Sequence, residues 1–241
     1  MTIRLTLYAT AGMATRDTVL GDGPLSGTLS ATGLAGVAPQ HHDAVVRAPS
    51  ARCAQAAAAL GLASDAVIEP VLRDIDYGTW SGRTVGDVAA TDPHRLSAWL
   101  KDPDATPPGG ESVRQLCRRT RAWLRRLEGS DGPDGLGGLR GPDRLSGQRG
   151  RVRERRRGGS CGSADAHTLV IAEPAVVRAL LVDAMCVPVT AFWHLDVPVL
   201  SAVSLLSPSP ERGGVWDVES KGAPVVRSRR PADTSDDRVG I

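Results

Sequence analysis

Leu169-Val170-Ile171-Ala172-Glu173-Pro174-Ala175-Val176-Val177-Arg178-Ala179-Leu180 passes from an apolar, β-branched run into a second run that opens with proline. Pro174 suits a first helical position, where its missing N–H leaves no intrahelical bond unmade. The stretch therefore reads as a strand over 168–172 running directly into a helix over 174–185. Working outward, the run from Ile3 to Ala9, broken by Ala11-Gly12, reads as another buried strand that delivers a loop. Further strands are expected at 43–47, 66–69, 202–207 and 215–219, and helices at 51–60, 85–90, 95–100 and 112–127. This alternation predicts an α/β fold, a three-layer sandwich whose mostly parallel sheet is flanked by helices. Residues 1–226 form the domain, with 75–110 as a cap over the strand ends.

Five landmarks stand in order along the chain. They are Tyr8-Ala9-Thr10-Ala11-Gly12-Met13, Ala48-Pro49-Ser50-Ala51-Arg52-Cys53-Ala54-Gln55, the glycine-punctuated loop from Leu72 to Gly82, Pro108-Gly109-Gly110-Glu111-Ser112, and the stretch from Leu169 to Leu180. Together they resemble the histidine phosphatase superfamily, in its phosphoglycerate mutase and cobalamin-pathway phosphatase branch. The resemblance implies a phosphoglycerate mutase-like fold in which the inserted cap segment shapes the substrate site. It also implies a pocket in which a histidine attacks phosphorus, cations and neutral donors bind the phosphoryl oxygens, and an acidic group handles the leaving-group proton.

Carried over position by position, the resemblance places Ala11 where the family has its nucleophilic histidine, within Thr10-Ala11-Gly12. The asparagine position falls on Asp17, one arginine is kept as Arg52, the acidic position falls on Asp74, and the second histidine falls on Glu173. An alanine cannot form a phosphoenzyme, because covalent catalysis needs a lone pair on the attacking side chain. Phosphoryl transfer otherwise depends on positioning and on positive charge around the equatorial oxygens. Two like charges about 4 Å apart repel by about 4 kcal/mol at an effective dielectric near 20. Asp17 and Glu173 would repel a phosphate dianion in this way, so no ordinary phosphatase or mutase activity is expected.

None of the five histidines replaces the missing one convincingly. His41 and His42 precede the second strand and His167 precedes the fourth, whereas ligands of open α/β sheets sit beyond the carboxyl ends of strands. His94, after Asp92-Pro93 at a helix start, reads as solvated. His194, after Phe192-Trp193, reads as a surface or packing residue at the edge of a pocket.

The altered pocket remains chemically capable. Paired carboxylates in a sheltered cleft serve as general acid and general base, one proton affinity raised by the other. Asp74 and Glu173 are the candidate pair, with Arg52 as the third catalytic residue, anchoring a carboxylate or polarised carbonyl. Thr10, Ala11, Asp17, Tyr77, Trp80 and Glu111 are the candidate substrate-binding residues, and Trp99 is a further apolar wall of the cap. The plainer reading of the same residues is structural. Asp74 then satisfies backbone donors of its loop, Arg52 pairs with Asp17 or Glu173, Glu173 caps its helix, and the tryptophans are core. Asp17, Asp74 and Glu173 lack a metal-ligand spacing motif, so neither metal nor cofactor is expected. The function expected is acid/base work on a small organic metabolite by an isomerase, lyase, dehydratase or cyclase. The alternative is a pseudophosphatase that binds a metabolite or protein.

Composition narrows the remaining classes. The 241 residues are 41% hydrophobic with a net charge of +2, enough to bury one enzyme-sized core and no whole-protein case for nucleic acid or membrane. The chain starts straight into strand, without a signal peptide or bilayer-spanning run, and a cytoplasmic protein is expected. A small-molecule substrate is the expected partner, and a homodimer stays open. Cys53, Cys117, Cys161 and Cys186 show no CxxC spacing, and the first two read as small core residues. The Gly- and Arg-rich segment 128–164 reads as a disordered insertion, with a basic arm for an anionic partner as its functional alternative. The polar tail 227–241 reads as loose.

Overall fold

The computed structural model describes residues 3–10, 19–21, 42–128, 166–197, 202–207 and 216–219. The expectations for Ala11, Asp17, His41 and Cys161, for the tail 227–241 and for the insertion beyond Glu128 fall outside these residues.

Six strands form one sheet: β1 (Ile3–Ala9), β2 (Ala44–Arg47), β3 (Ala66–Ile68), β4 (Ala166–Ala172), β5 (Ala202–Leu206) and β6 (Asp217–Glu219). Their order is β3-β2-β4-β1-β5-β6. The first four run parallel, while β5 lies antiparallel to β1 and β6 antiparallel to β5. The central strand β4 is buried at every position except His167. Its near-continuous apolar run is what a parallel strand covered on both faces requires. β5, toward the edge, alternates instead between buried and half-buried residues.

Helices α1 (Ala51–Ala59), α2 (Val85–Thr91), α3 (Pro93–Lys101), α4 (Val113–Glu128) and α5 (Pro174–Ala184) flank the sheet, giving the expected α/β architecture. Each start has a local cause. Ser50 caps α1 by accepting from the Cys53 amide, and Thr84 and Asp87 form a reciprocal capping box on α2. Pro93 and Pro174 occupy the first turns of α3 and α5. The long amphipathic α4 turns Val113, Leu116, Cys117, Thr120, Trp123, Leu124 and Leu127 inward and packs on α5, whose apolar face is buried at eight positions.

Short 3-10 turns at Pro70–Leu72, Gly78–Trp80 and Val189–His194 were not anticipated. The second is locked to the 107–111 loop by bonds from the Thr79 amide to Pro108 and from the Glu111 amide to Asp76. The backbones meet so closely that a Cβ on Gly110 would lie 2.4 Å from the Asp76 carbonyl oxygen. Gly78, at φ +52°, would place one 2.2 Å from the Pro108 oxygen. Only glycine fits at either position.

Candidate functional site

The parallel strands β1, β2 and β4 end side by side, and two backbone bonds tie their exits together. The Thr10 amide donates to Ala172 at 3.1 Å and the Ala48 amide to Ile171 at 2.9 Å. Thr10, Ser50 and Glu173 therefore converge beyond the carboxyl edge of the sheet, where ligand sites of open α/β sheets lie.

Glu173 is the hub. Its side chain is almost wholly enclosed, and hydroxyls donate to both of its oxygens, Thr10 Oγ1 to Oε2 at 2.9 Å and Ser50 Oγ to Oε1 at 2.8 Å. The Cys53 thiol lies 3.8 Å from Oε1 and Arg52 Nε 3.5 Å from it. Arg52 also donates through Nη2 to the Gly21 carbonyl. Burial, reinforced by the nearby Glu173 charge, pushes the Cys53 thiol up to about 12 and leaves it an unreactive filler at neutral pH. Glu173 makes no side-chain bond to the amino terminus of α5, so the expected helix cap is not formed.

Asp74 completes the cluster from the loop after the first 3-10 turn. It is half-buried, and its Oδ1 accepts from the Ile75 amide at 2.9 Å. Burial and the Glu173 charge raise its carboxyl to about 7, against the opposing pull of that amide bond, Arg52 and Arg119. Burial likewise raises the Tyr77 phenol well above its ordinary range, with Asp74 adding to the effect.

The remaining candidates separate. Glu111 is buried away from the hub, its oxygens taken by Arg119 Nε at 2.8 Å and Arg73 Nη1 at 3.0 Å. Arg119 also reaches the carbonyls of Val71, Arg73 and Asp74. The Glu111–Arg119 pair thus staples the Asp74 loop onto α4. Trp80 is core, edge-on to Trp99. Tyr77 and Trp99 line a cavity of about 220 Å³ with Ile75, Ala175, Arg178 and Trp193. Ile75 and Ala175 set this cavity next to the Asp74–Glu173 cluster along the chain.

Ser50 and Arg178 are the residues that sequence reasoning passed over. Ser50 stood inside a quoted motif, and its hydroxyl serves both the helix cap and Glu173. Arg178 is the lone cation of a helix whose only other charged residue is Asp183, and that signal was available. His42 and His167 stack edge to face, 4.4 Å between centroids, and His167 bonds to Thr6 well before the strand exits. His94 and His194 are exposed.

Residues 27–135 match the family model described as histidine phosphatase superfamily, branch 1. The fold superposes on mycobacterial glucosyl-3-phosphoglycerate phosphatase Rv2419c with a TM-score of 0.64 at 19% identity, covering 90% of this chain and 97% of that one. Over those residues the chain is similar to the histidine phosphatase superfamily, and the fold is shared with its members. The α-ribazole phosphatase of Shigella flexneri gives a TM-score of 0.60 at 18% identity over 92% of this chain and 96% of its own. At such identities the likeness is one of fold. The bifunctional protein Rv2228c of Mycobacterium tuberculosis is 41% identical over 86 residues, which are 35% of this chain and 24% of that protein. The chain thus matches about a quarter of that relative's length. Among the described residues, no helix is long and apolar enough to cross a membrane.

Proposed function

We propose that this chain is a histidine phosphatase superfamily member that does acid/base chemistry on a small organic metabolite, without a phosphohistidine, as an isomerase, lyase, dehydratase or cyclase. The observation that carries the reading is the Asp74–Glu173 pair, because Asp74 titrates near 7 beside a second carboxylate. A group whose pKa matches the working pH is the most effective proton donor and acceptor. Asp74, reachable from the cleft, exchanges the proton with substrate. Glu173 behind it supplies the charge that holds that proton, and the Thr10 and Ser50 hydroxyls keep Glu173 in place. The motif resemblance, which assigns Ala11 to the nucleophile position and Asp17 and Glu173 to phosphate-binding positions, supports the absence of phosphoryl transfer.

One observation favours a second reading, the pseudophosphatase scaffold. Both Glu173 oxygens are already satisfied by protein groups, as in a carboxylate kept for structure alone. Proton NMR on a mixture of small organic acids in D2O separates the two. Turnover or deuterium incorporation that disappears in Asp74→Asn and Glu173→Gln supports the enzyme. Turnover retained in both variants removes the proposed roles, and a protein partner bound equally by Glu173→Gln and the parent chain supports the scaffold.

A further inference from the structure

The cavity beside the carboxylate cluster is lined by one cation, Arg178, and by two indoles whose N–H groups lack a partner among the described residues. Arg178 donates from Nε to the Leu195 carbonyl at 2.9 Å, and its guanidinium lies 6.0 Å from the Phe192 ring centroid. Its side chain is half-buried, and Asp196 is a nearby counter-charge. The indole N–H groups of Trp99 and Trp193, whose rings also line the cavity, are buried without a partner. Buried polar groups are almost always paired. Two unpartnered N–H groups and a guanidinium around one apolar space call for a ligand with acceptor oxygens.

We propose that this cavity binds a monoanionic organic acid with an apolar body of about one ring, its carboxylate paired with Arg178. The proposal rests on reading the neighbouring Asp74–Glu173 cleft as a substrate site. A guanidinium presents parallel N–H groups that match a carboxylate in two-point fashion, and the low polarity of the walls strengthens that pairing. Arg178 is the only charged residue among the described residues lining the space, so a single negative charge is balanced and a phosphate dianion is not. Size points the same way. A cavity of about 150 Å³ accommodates benzene, and about 220 Å³ leaves room for a short acid arm. Ile75, Leu96 and Phe192 face the body of such a ligand, and Trp99 and Trp193 can clasp it by stacking or through their N–H groups.

Isothermal titration calorimetry with phenylacetate, its neutral analogue 2-phenylethanol and inorganic phosphate tests the assignment. Phenylacetate is expected to bind, 2-phenylethanol at least tenfold more weakly, and phosphate neither to bind nor to compete. Arg178→Met should weaken phenylacetate at least tenfold and leave 2-phenylethanol unchanged, with Arg178→Lys intermediate. Should Arg178→Met fail to fold, Leu100→Trp, at a partly exposed wall position, fills the space and should abolish binding of both aromatic probes. No binding of phenylacetate, equal affinity for the neutral analogue, or undiminished binding in Arg178→Met or Leu100→Trp overturns the proposal. Glu173→Gln should keep phenylacetate affinity within threefold. Intact binding with no Glu173-dependent turnover overturns the acid/base reading alone, and intact turnover with no phenylacetate binding overturns this one alone.

Discussion

Ser50 donates its hydroxyl proton to Glu173 at 2.8 Å while its oxygen accepts the Cys53 amide at 3.1 Å, so one side chain both starts α1 and holds the central carboxylate. Ser50→Ala breaks both bonds. Leaving a buried acceptor without its donor costs about 1–3 kcal/mol, and losing a helix cap costs about 1 kcal/mol. We expect Ser50→Ala to lower unfolding free energy by about 2–4 kcal/mol in urea denaturation. Thr10→Val, which removes only a bond to Glu173, should cost less. Equal losses in the two variants would show that the cap contributes nothing.

Asp74 gives the protein a distinctive pH profile. Its carboxyl is raised to about 7 in the folded chain by burial and Glu173, whereas an unfolded aspartate titrates near about 3.9. Between these values the native state binds more protons than the unfolded one. Stability therefore falls as pH rises from 4 to 7 and levels off above. Each unit of difference is worth about 1.4 kcal/mol, and partial solvent access reduces this, so we expect a loss of about 1–2 kcal/mol between pH 5 and 8. Asp74→Asn should flatten the curve there. Glu111, where Arg119 and Arg73 outweigh burial to hold the carboxyl below its usual range, changes stability only in more acidic solution. A thermal midpoint that rises across the window in the parent chain would contradict the raised Asp74.

Gly110 tests the seam between the cap loops. A methyl group there meets the Asp76 carbonyl and the Gly78 amide, both backbone, so neither can swing aside. Overpacking of this kind costs about 1–3 kcal/mol, or roughly 2–12 °C in thermal midpoint for a chain of this size. Gly110→Ala should show that drop in differential scanning calorimetry. Gly61→Ala serves as the reference, since its added Cβ meets nothing within 4 Å and only its φ of +72° opposes the change.

Phosphoryl transfer has a direct assay. p-Nitrophenyl phosphate should be hydrolysed no faster by the protein than by buffer. Hydrolysis above background that disappears in Arg52→Ala would mean that the pocket works as a phosphatase with a nucleophile other than the expected one.

Much of this architecture was legible beforehand because its causes are local. Pro174 and the largely apolar runs of β1 and β4 each mark an element within a few positions. The 3-10 turn at Val189–His194 left no such mark, as six residues are too few to show a period. In the site, Asp74, Arg52, Thr10 and Glu173 came from motif positions, and the fold brings them together. The partners of Glu111 were less visible. Arg119 lies two helical turns along α4, but the carbonyls it also binds belong to a loop more than 40 residues earlier. Arg178 stood in the first stretch read, yet its surroundings come from Tyr77, Trp99 and Phe192, which only the folded chain assembles.

The rings of Trp80, Trp99 and Trp193 follow one another at centroid separations of 6.0 and 4.5 Å. Spacings this short let excitation hop between indoles, so light absorbed deep in the protein can be emitted from the residues that face the cavity. The chain therefore carries a built-in optical sensor, and its glow should change colour or dim when something settles beside Trp99 and Trp193, with no dye attached.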